Sequence, residues 1–160
     1  SAGFVPPSMN LPKTMEGSFE SSFMDVVKFI DANYRTIAKK QGRAIAGLSM
    51  GGFHSKFISL NNPDTFDYVG LFSAALGVTD PSISPIYQNE DAKLKAQFAK
   101  KPALYWIGIG KTDFLIQANN AYRQKLDGLG YKYQYMETDG GHIWRNWRIY
   151  LTEFTPLLFK

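Results

Sequence analysis

The chain has no cysteine. Disulfides, thiolate nucleophiles and cysteine-ligated zinc are therefore excluded. Histidine is nearly as scarce, with two residues in 160, His54 and His142. No apolar run approaches the roughly 18 residues needed to span a bilayer, so no membrane association is expected. The first 20 residues carry Pro6, Pro7 and Pro12 but no charged segment followed by an apolar one, so no secretory leader is visible. The basic excess is small: 18 Lys and Arg against 14 Asp and Glu give a net charge of +4. These charges are scattered, with short pairs at Lys39-Lys40 and Lys100-Lys101. A nucleic-acid interface would show a basic stripe interleaved with aromatics, so no nucleic-acid partner is expected.

What is present suits a single globular domain over residues 1–160, with 1–16 irregular. The hydrophobic fraction is 44%, enough for a buried core. From Ser18, Phe19, Phe23, Val26, Val27, Ile30 and Tyr34 recur at helical steps, with Ser18 as cap and Glu20 in the first turn. Residues 43–48 are short and apolar, which suits a strand buried on both faces. A helix opens at Gly51-Gly52 and stops before Pro63. Strands are predicted at 66–73, 103–109 and 131–137. Helices are predicted at 85–100, 113–129 and 143–159. Strands alternating with helices predict an α/β fold: a three-layer sandwich around a mostly parallel sheet of about four strands. Sites in such sheets form at the carboxyl ends of the strands.

The sharpest local signal is Gly47-Leu48-Ser49-Met50-Gly51, a G-x-S-x-G motif between a predicted strand and a predicted helix. A nucleophile on so tight a turn needs neighbours without bulky side chains. The turn lifts the Ser49 hydroxyl above the sheet and aims the Met50 backbone N–H at the same space, where it can hold an oxyanion. A serine hydroxyl needs a base. His54, five residues along the same helix, cannot easily fold back over the turn and reads as an ordinary helix residue. His142 follows the last strand in Asp139-Gly140-Gly141-His142, where two glycines let the loop return over the sheet. Chain order in this architecture is serine, acid, histidine. Asp113, just past the strand at 103–109, is the first candidate for the acid, and helix capping is its alternative role. Asp139 is the rival. Trp144 and Tyr87 are candidate walls for a substrate, with simple packing as the competing reading. Trp147 is assigned to the buried face of the last helix.

The segments YRTIAKKQGRAIAGLSMGGFHS (34–55), DTFDYVGLFSAAL (64–76), WIGIGKTDFLI (106–116) and ETDGGHIWRNWRIYLTEFTPLLF (137–159) resemble the family of serine esterases that includes esterase D, bacterial feruloyl and acetyl-xylan esterases, and enterochelin-esterase-like proteins. The resemblance covers most of residues 17–159 and is most specific at RAIAGLSMGG. It implies an α/β-hydrolase fold without metal or organic cofactor, with Ser49 as nucleophile, His142 as base and Asp113 as acid. Its substrate would be an ester, such as an acetyl or feruloyl group on plant polysaccharide or oligosaccharide. A secreted or periplasmic home is implied as well. A thioester hydrolase, an acyltransferase with the same triad, and a non-catalytic binding module are the competing expectations.

In the family several strands, and the second oxyanion N–H, precede the helix that here begins near Ser18. The chain thus resembles the carboxyl-terminal portion of such an esterase. Lacking one oxyanion donor is expected to cost roughly 10²- to 10³-fold in kcat. The strand at 43–48 would then be a sheet edge, which favours a homo-oligomer.

Overall fold

The computed structural model describes residues 15–77 and 80–160. The irregular segment expected at the amino terminus lies largely outside the described residues. Four strands form one sheet in the order β1-β2-β3-β4: β1 (Ala44–Leu48), β2 (Tyr68–Phe72), β3 (Leu104–Gly110) and β4 (Gln134–Thr138). All three pairings are parallel, with Leu48 opposite Phe72, Phe72 opposite Gly108, and Gly110 opposite Thr138. The helices are α1 (Ser18–Asn33), α2 (Met50–Asn61), α3 (Glu90–Ala99), α4 (Ile116–Gly128) and α5 (Trp144–Phe154). The expected α/β sandwich is thus present. No helix among the described residues is long and apolar enough to cross a membrane.

The two inner strands are buried at every position. Alternation then splits their side chains between two cores. Val69, Leu71, Tyr105 and Ile107 face Phe53 and Phe57 of α2, Leu94 of α3 and Leu126 of α4. Tyr68, Phe72, Leu104 and Trp106 face Tyr150 and Phe154 of α5. The layers are therefore unequal, since α5 supplies the helical part of the second core while α1 to α4 pack against the first.

Three local expectations are corrected. Ser18 does not cap α1; the cap position is Gly17 in the left-handed region (φ 85°), with no side-chain cap bond. The strand read as buried on both faces is an outer strand, with Ala46 exposed. The core-facing stripe of α1 is also narrower than its apolar spacing suggests. Phe19, Phe23, Met24 and Val27 pack inward, whereas Val26, Phe29, Ile30 and Tyr34 are exposed.

Glu20, read as a first-turn charge, is 1% exposed. Its Oε1 accepts from the Tyr87 hydroxyl at 3.0 Å and meets His54 Nδ1 at 2.8 Å. One carboxylate thereby ties α1 to α2 and to the turn at Pro85–Tyr87. Burial, and secondarily the charge of Glu20, pushes the Tyr87 hydroxyl well above its ordinary pKa. Glu20→Ala leaves two buried groups without their acceptor and is expected to cost about 3–5 kcal/mol of stability. Urea unfolding of the variant measures this; a midpoint equal to the parent's would refute the assignment.

Candidate active site

Ser49 stands between β1 and α2 with φ 53° and ψ −117°, a backbone region that non-glycine residues rarely occupy. Strain of this kind persists only when the surroundings over-determine it. The Ser49 N–H donates to Phe72 O at 2.9 Å, and Ser49 O accepts from Ala75 N at 2.9 Å and Phe53 N at 3.2 Å. Gly47 is required at the turn. A Cβ there would lie 2.3 Å from the backbone carbon and oxygen of Gly51. Glycine at 52 is equally forced, since a Cβ would meet the Ala74 Cβ at 2.6 Å. The motif's small residues thus let the chain reverse tightly enough to start a helix at Met50, whose amino-terminal end lies beside Ser49.

His142 arrives from the other side of the sheet top. The loop after β4 rests on the end of β3. Lys111 N donates to Thr138 O at 2.9 Å and Thr112 N to Gly140 O at 3.1 Å. Gly110 makes this approach possible, because a Cβ there would sit 2.2 Å from Gly140 O. The buried side chain of Asn146 donates from Nδ2 to Gly141 O at 3.0 Å and fixes the loop from the α5 side.

These elements bring the three sequence-selected residues together. His142 Nε2 lies 2.9 Å from Ser49 Oγ. His142 Nδ1 lies 2.9 Å from Asp113 Oδ2 and 3.1 Å from Oδ1. Asp113 is 1% exposed, and its Oδ1 also accepts the Leu115 N–H at 2.9 Å. The carboxylate thus meets the imidazole and holds the turn before α4, but it does not cap that helix, whose cap position is Leu115 without a side-chain cap bond. The helix itself starts three residues later than expected, at Ile116. Asp139 does not reach His142. It is exposed and pairs with Lys111 Nζ at 3.0 Å. His54 is away from this arrangement, bonded to Glu20 inside the first core.

The two candidate substrate walls part company. Trp144 is 68% exposed at the start of α5 and meets Trp147 edge-on at 5.1 Å. Tyr87 is buried against Phe53 and Phe57 and is a packing residue. This is the packing reading considered for it, which aromatic character alone could not separate from a substrate wall. Sequence reading missed two neighbours of the base. Trp147 stands edge-on to the His142 ring at 4.9 Å, and Phe114 lies 4.7 Å from it while 76% exposed. The available signal for Phe114 was a large apolar residue directly after the candidate acid, outside any amphipathic pattern. Among the described residues no group of three or more His, Asp or Glu is arranged to hold a metal.

The profile of the family described as "Putative esterase" matches residues 23–158. An endo-1,4-β-xylanase/feruloyl esterase of Xylanibacter ruminicola is 31% identical over 144 residues, covering 89% of this chain and 18% of that protein. An acetyl esterase of Caldicellulosiruptor saccharolyticus is 25% identical over 155 residues, covering 79% of this chain and 58% of that protein. The solved ferulic acid esterase of Anaeromyces mucronatus superposes with a TM-score of 0.79 at 22% identity, over 97% of this chain and 59% of that one. The chain thus spans less than two thirds of these relatives. Its fold is that of the α/β-hydrolase esterases, and the chain belongs to the esterase family defined by that profile.

Proposed function

We propose that the chain is the triad-bearing part of a serine esterase that hydrolyses acetyl or feruloyl esters of carbohydrates. The single observation that carries this reading is the unbroken relay from Ser49 Oγ through both nitrogens of His142 to the buried Asp113 carboxylate. Asp113 accepts the Nδ1 proton and so leaves the Nε2 lone pair facing the hydroxyl. His142 takes the Ser49 proton as Oγ attacks the ester carbonyl. Met50, first residue of α2, offers its backbone N–H at the helix's positive end to the developing oxyanion. His142 then protonates the leaving alcohol, and water activated by the same nitrogen releases the acid. The carbohydrate ester comes from the names of the relatives, and it fits the aromatic surroundings of the base.

A fluorophosphonate probe tests the activated serine directly. Ser49 Oγ is expected to attack phosphorus and expel fluoride, adding the probe's mass to the peptide that contains Ser49. An unlabelled Ser49, with the chain folded, would refute the esterase reading and leave a binding module.

Because His142 must protonate the leaving oxygen, side chains beside it border the alcohol half of the substrate. Phe114 offers an exposed ring face there, and the exposed Trp144 adjoins His142 through Trp147. Phe114→Ala is expected to lower kcat/KM on a feruloylated oligosaccharide about tenfold while sparing methyl ferulate. Equal losses on both esters would show that the ring only supports His142.

A further inference from the structure

A second concave surface lies at the opposite end of the sheet, where β3 and β4 begin. Its volume is about 570 Å³, and Lys95, Lys101 and Lys132 line it together with Phe98, Gly130 and Tyr131. β3 alone, at about 3.3 Å per residue over its seven residues, puts roughly 20 Å between this surface and Ser49. The Phe98 and Tyr131 rings are stacked, with centroids 4.3 Å apart and planes within 1°. Lys101 and Gly130 both turn the chain with positive φ, 49° and 71°, and so bring the end of α3 and the approach to β4 around the same hollow.

The charge around this hollow is of one sign. All 14 carboxylates of the chain are among the described residues, yet none lines the hollow or pairs with Lys95, Lys101 or Lys132. Asp91, one turn before Lys95 on α3, is held by Lys125 at 2.7 Å, and Asp64 is held by Lys100 at 3.1 Å. The cavity of about 450 Å³ between α2, α3 and α4 shows the contrary arrangement. There Lys56 and Lys125 both meet Glu90, at 2.7 and 3.2 Å. Uncompensated ammonium groups around a concavity focus a positive potential and concentrate anions.

We propose that this hollow is a secondary binding site for an oligosaccharide that carries carboxylates, such as a run of uronic acid residues. The identification of the ligand as carbohydrate rests on the esterase reading above. Lysines supply compact point charges suited to well-spaced carboxylates, while the planar forks that grip phosphate belong to arginine, and no arginine lines this hollow. The stacked pair gives an apolar ring face to the sugar between its charges. Each exposed ammonium contributes little alone, so the site selects a ligand that engages several at once. A polymer bound here stays close to Ser49 without occupying it, which raises the local concentration of its ester groups.

Titration calorimetry of the whole chain with a hexamer of galacturonic acid tests this. Binding is expected at low salt, weakening as salt rises. A neutral xylose hexamer should bind far less. The triple variant Lys95→Gln, Lys101→Gln, Lys132→Gln should bind the acidic hexamer about tenfold more weakly and cleave p-nitrophenyl acetate like the parent. A control triple variant at Lys39, Arg148 and Lys160 removes the same charge elsewhere and should bind normally. Equal losses in both triples would reduce the effect to net charge and overturn the site, as would no binding by the parent. Tighter, lysine-dependent binding of a single-stranded RNA hexamer would overturn the carbohydrate assignment. The calorimetry needs no turnover, so binding with an unreactive Ser49 would support the hollow and refute only the esterase reading.

Discussion

Ser49→Ala is expected to lower kcat for p-nitrophenyl acetate by about 10⁶-fold relative to the parent chain, the loss seen when the serine of a triad is removed alone. What survives is the residual rate that binding and oxyanion hydrogen bonding give to attack by water. Ser73, a hydroxyl just past the end of β2, is fully buried and cannot take the nucleophile's place. The variant should fold, because alanine at this position keeps the backbone bonds to Phe72, Ala75 and Phe53 that hold the turn. It also removes one hydroxyl from a half-buried position, which costs little by itself. Parent and variant are compared at equal concentration by initial rates, with circular dichroism to show that both are folded. Retention of more than about one hundredth of the parent's kcat would exclude Ser49 as the nucleophile, since no partial role of a triad serine leaves so much. A parent rate already close to that of buffer would instead place the missing catalysis in the oxyanion hole, where one donor is worth roughly 10²- to 10³-fold.

The arrangement of Ser49, His142 and Asp113 was legible in the sequence because the turn at Ser49 imposes local requirements. A strained turn needs glycine at 47, and the 2.3 Å approach that a side chain there would make to Gly51 is the physical content of the motif. With two histidines, a base could be chosen by position after the last strand. Chain order pointed to Asp113 as the candidate partner of His142, and burial and distance then separate it from Asp139. Features that arise from meetings between distant residues were not legible. Glu20 reads only as a first-turn charge, yet its partners are His54 and Tyr87, 34 and 67 positions away. The spacing in α1 shows that apolar residues recur on a helix but not which flank faces the core, since Phe23 and Phe29 lie on different sides and only the first packs inward. Tyr87 stood between a substrate wall and simple packing for the same reason, and its burial against Phe53 and Phe57 is the packing case. Asn146 had no signal at all, because its role depends on Gly141 lying within 3.0 Å of its amide.

Asp113→Asn is expected to lower kcat by about 10⁴-fold with KM within a few-fold of the parent, whereas Asp139→Asn should change neither by more than about twofold. The two substitutions are chemically identical, so the contrast isolates geometry. The asparagine of the first variant can keep its oxygen on the Leu115 N–H, the bond that Asp113 Oδ1 makes at 2.9 Å, and so preserve the turn into α4. Its amide group then faces His142 Nδ1. An amide donor there demands a lone pair on Nδ1, and the imidazole proton moves to Nε2. That tautomer presents a proton to Ser49 and cannot receive one, so the nucleophile is left unactivated with the fold intact. The imidazolium formed during attack also loses the charge that stabilises it in a site where Asp113 has no contact with solvent. Asp139 offers the opposite case. Its side chain is 85% exposed, and its charge is shared with Lys111 and screened by water. Measured together, equal modest losses in both variants would remove Asp113 from the relay. A large loss confined to position 113, with unchanged thermal stability, would tie it to the tautomer of His142.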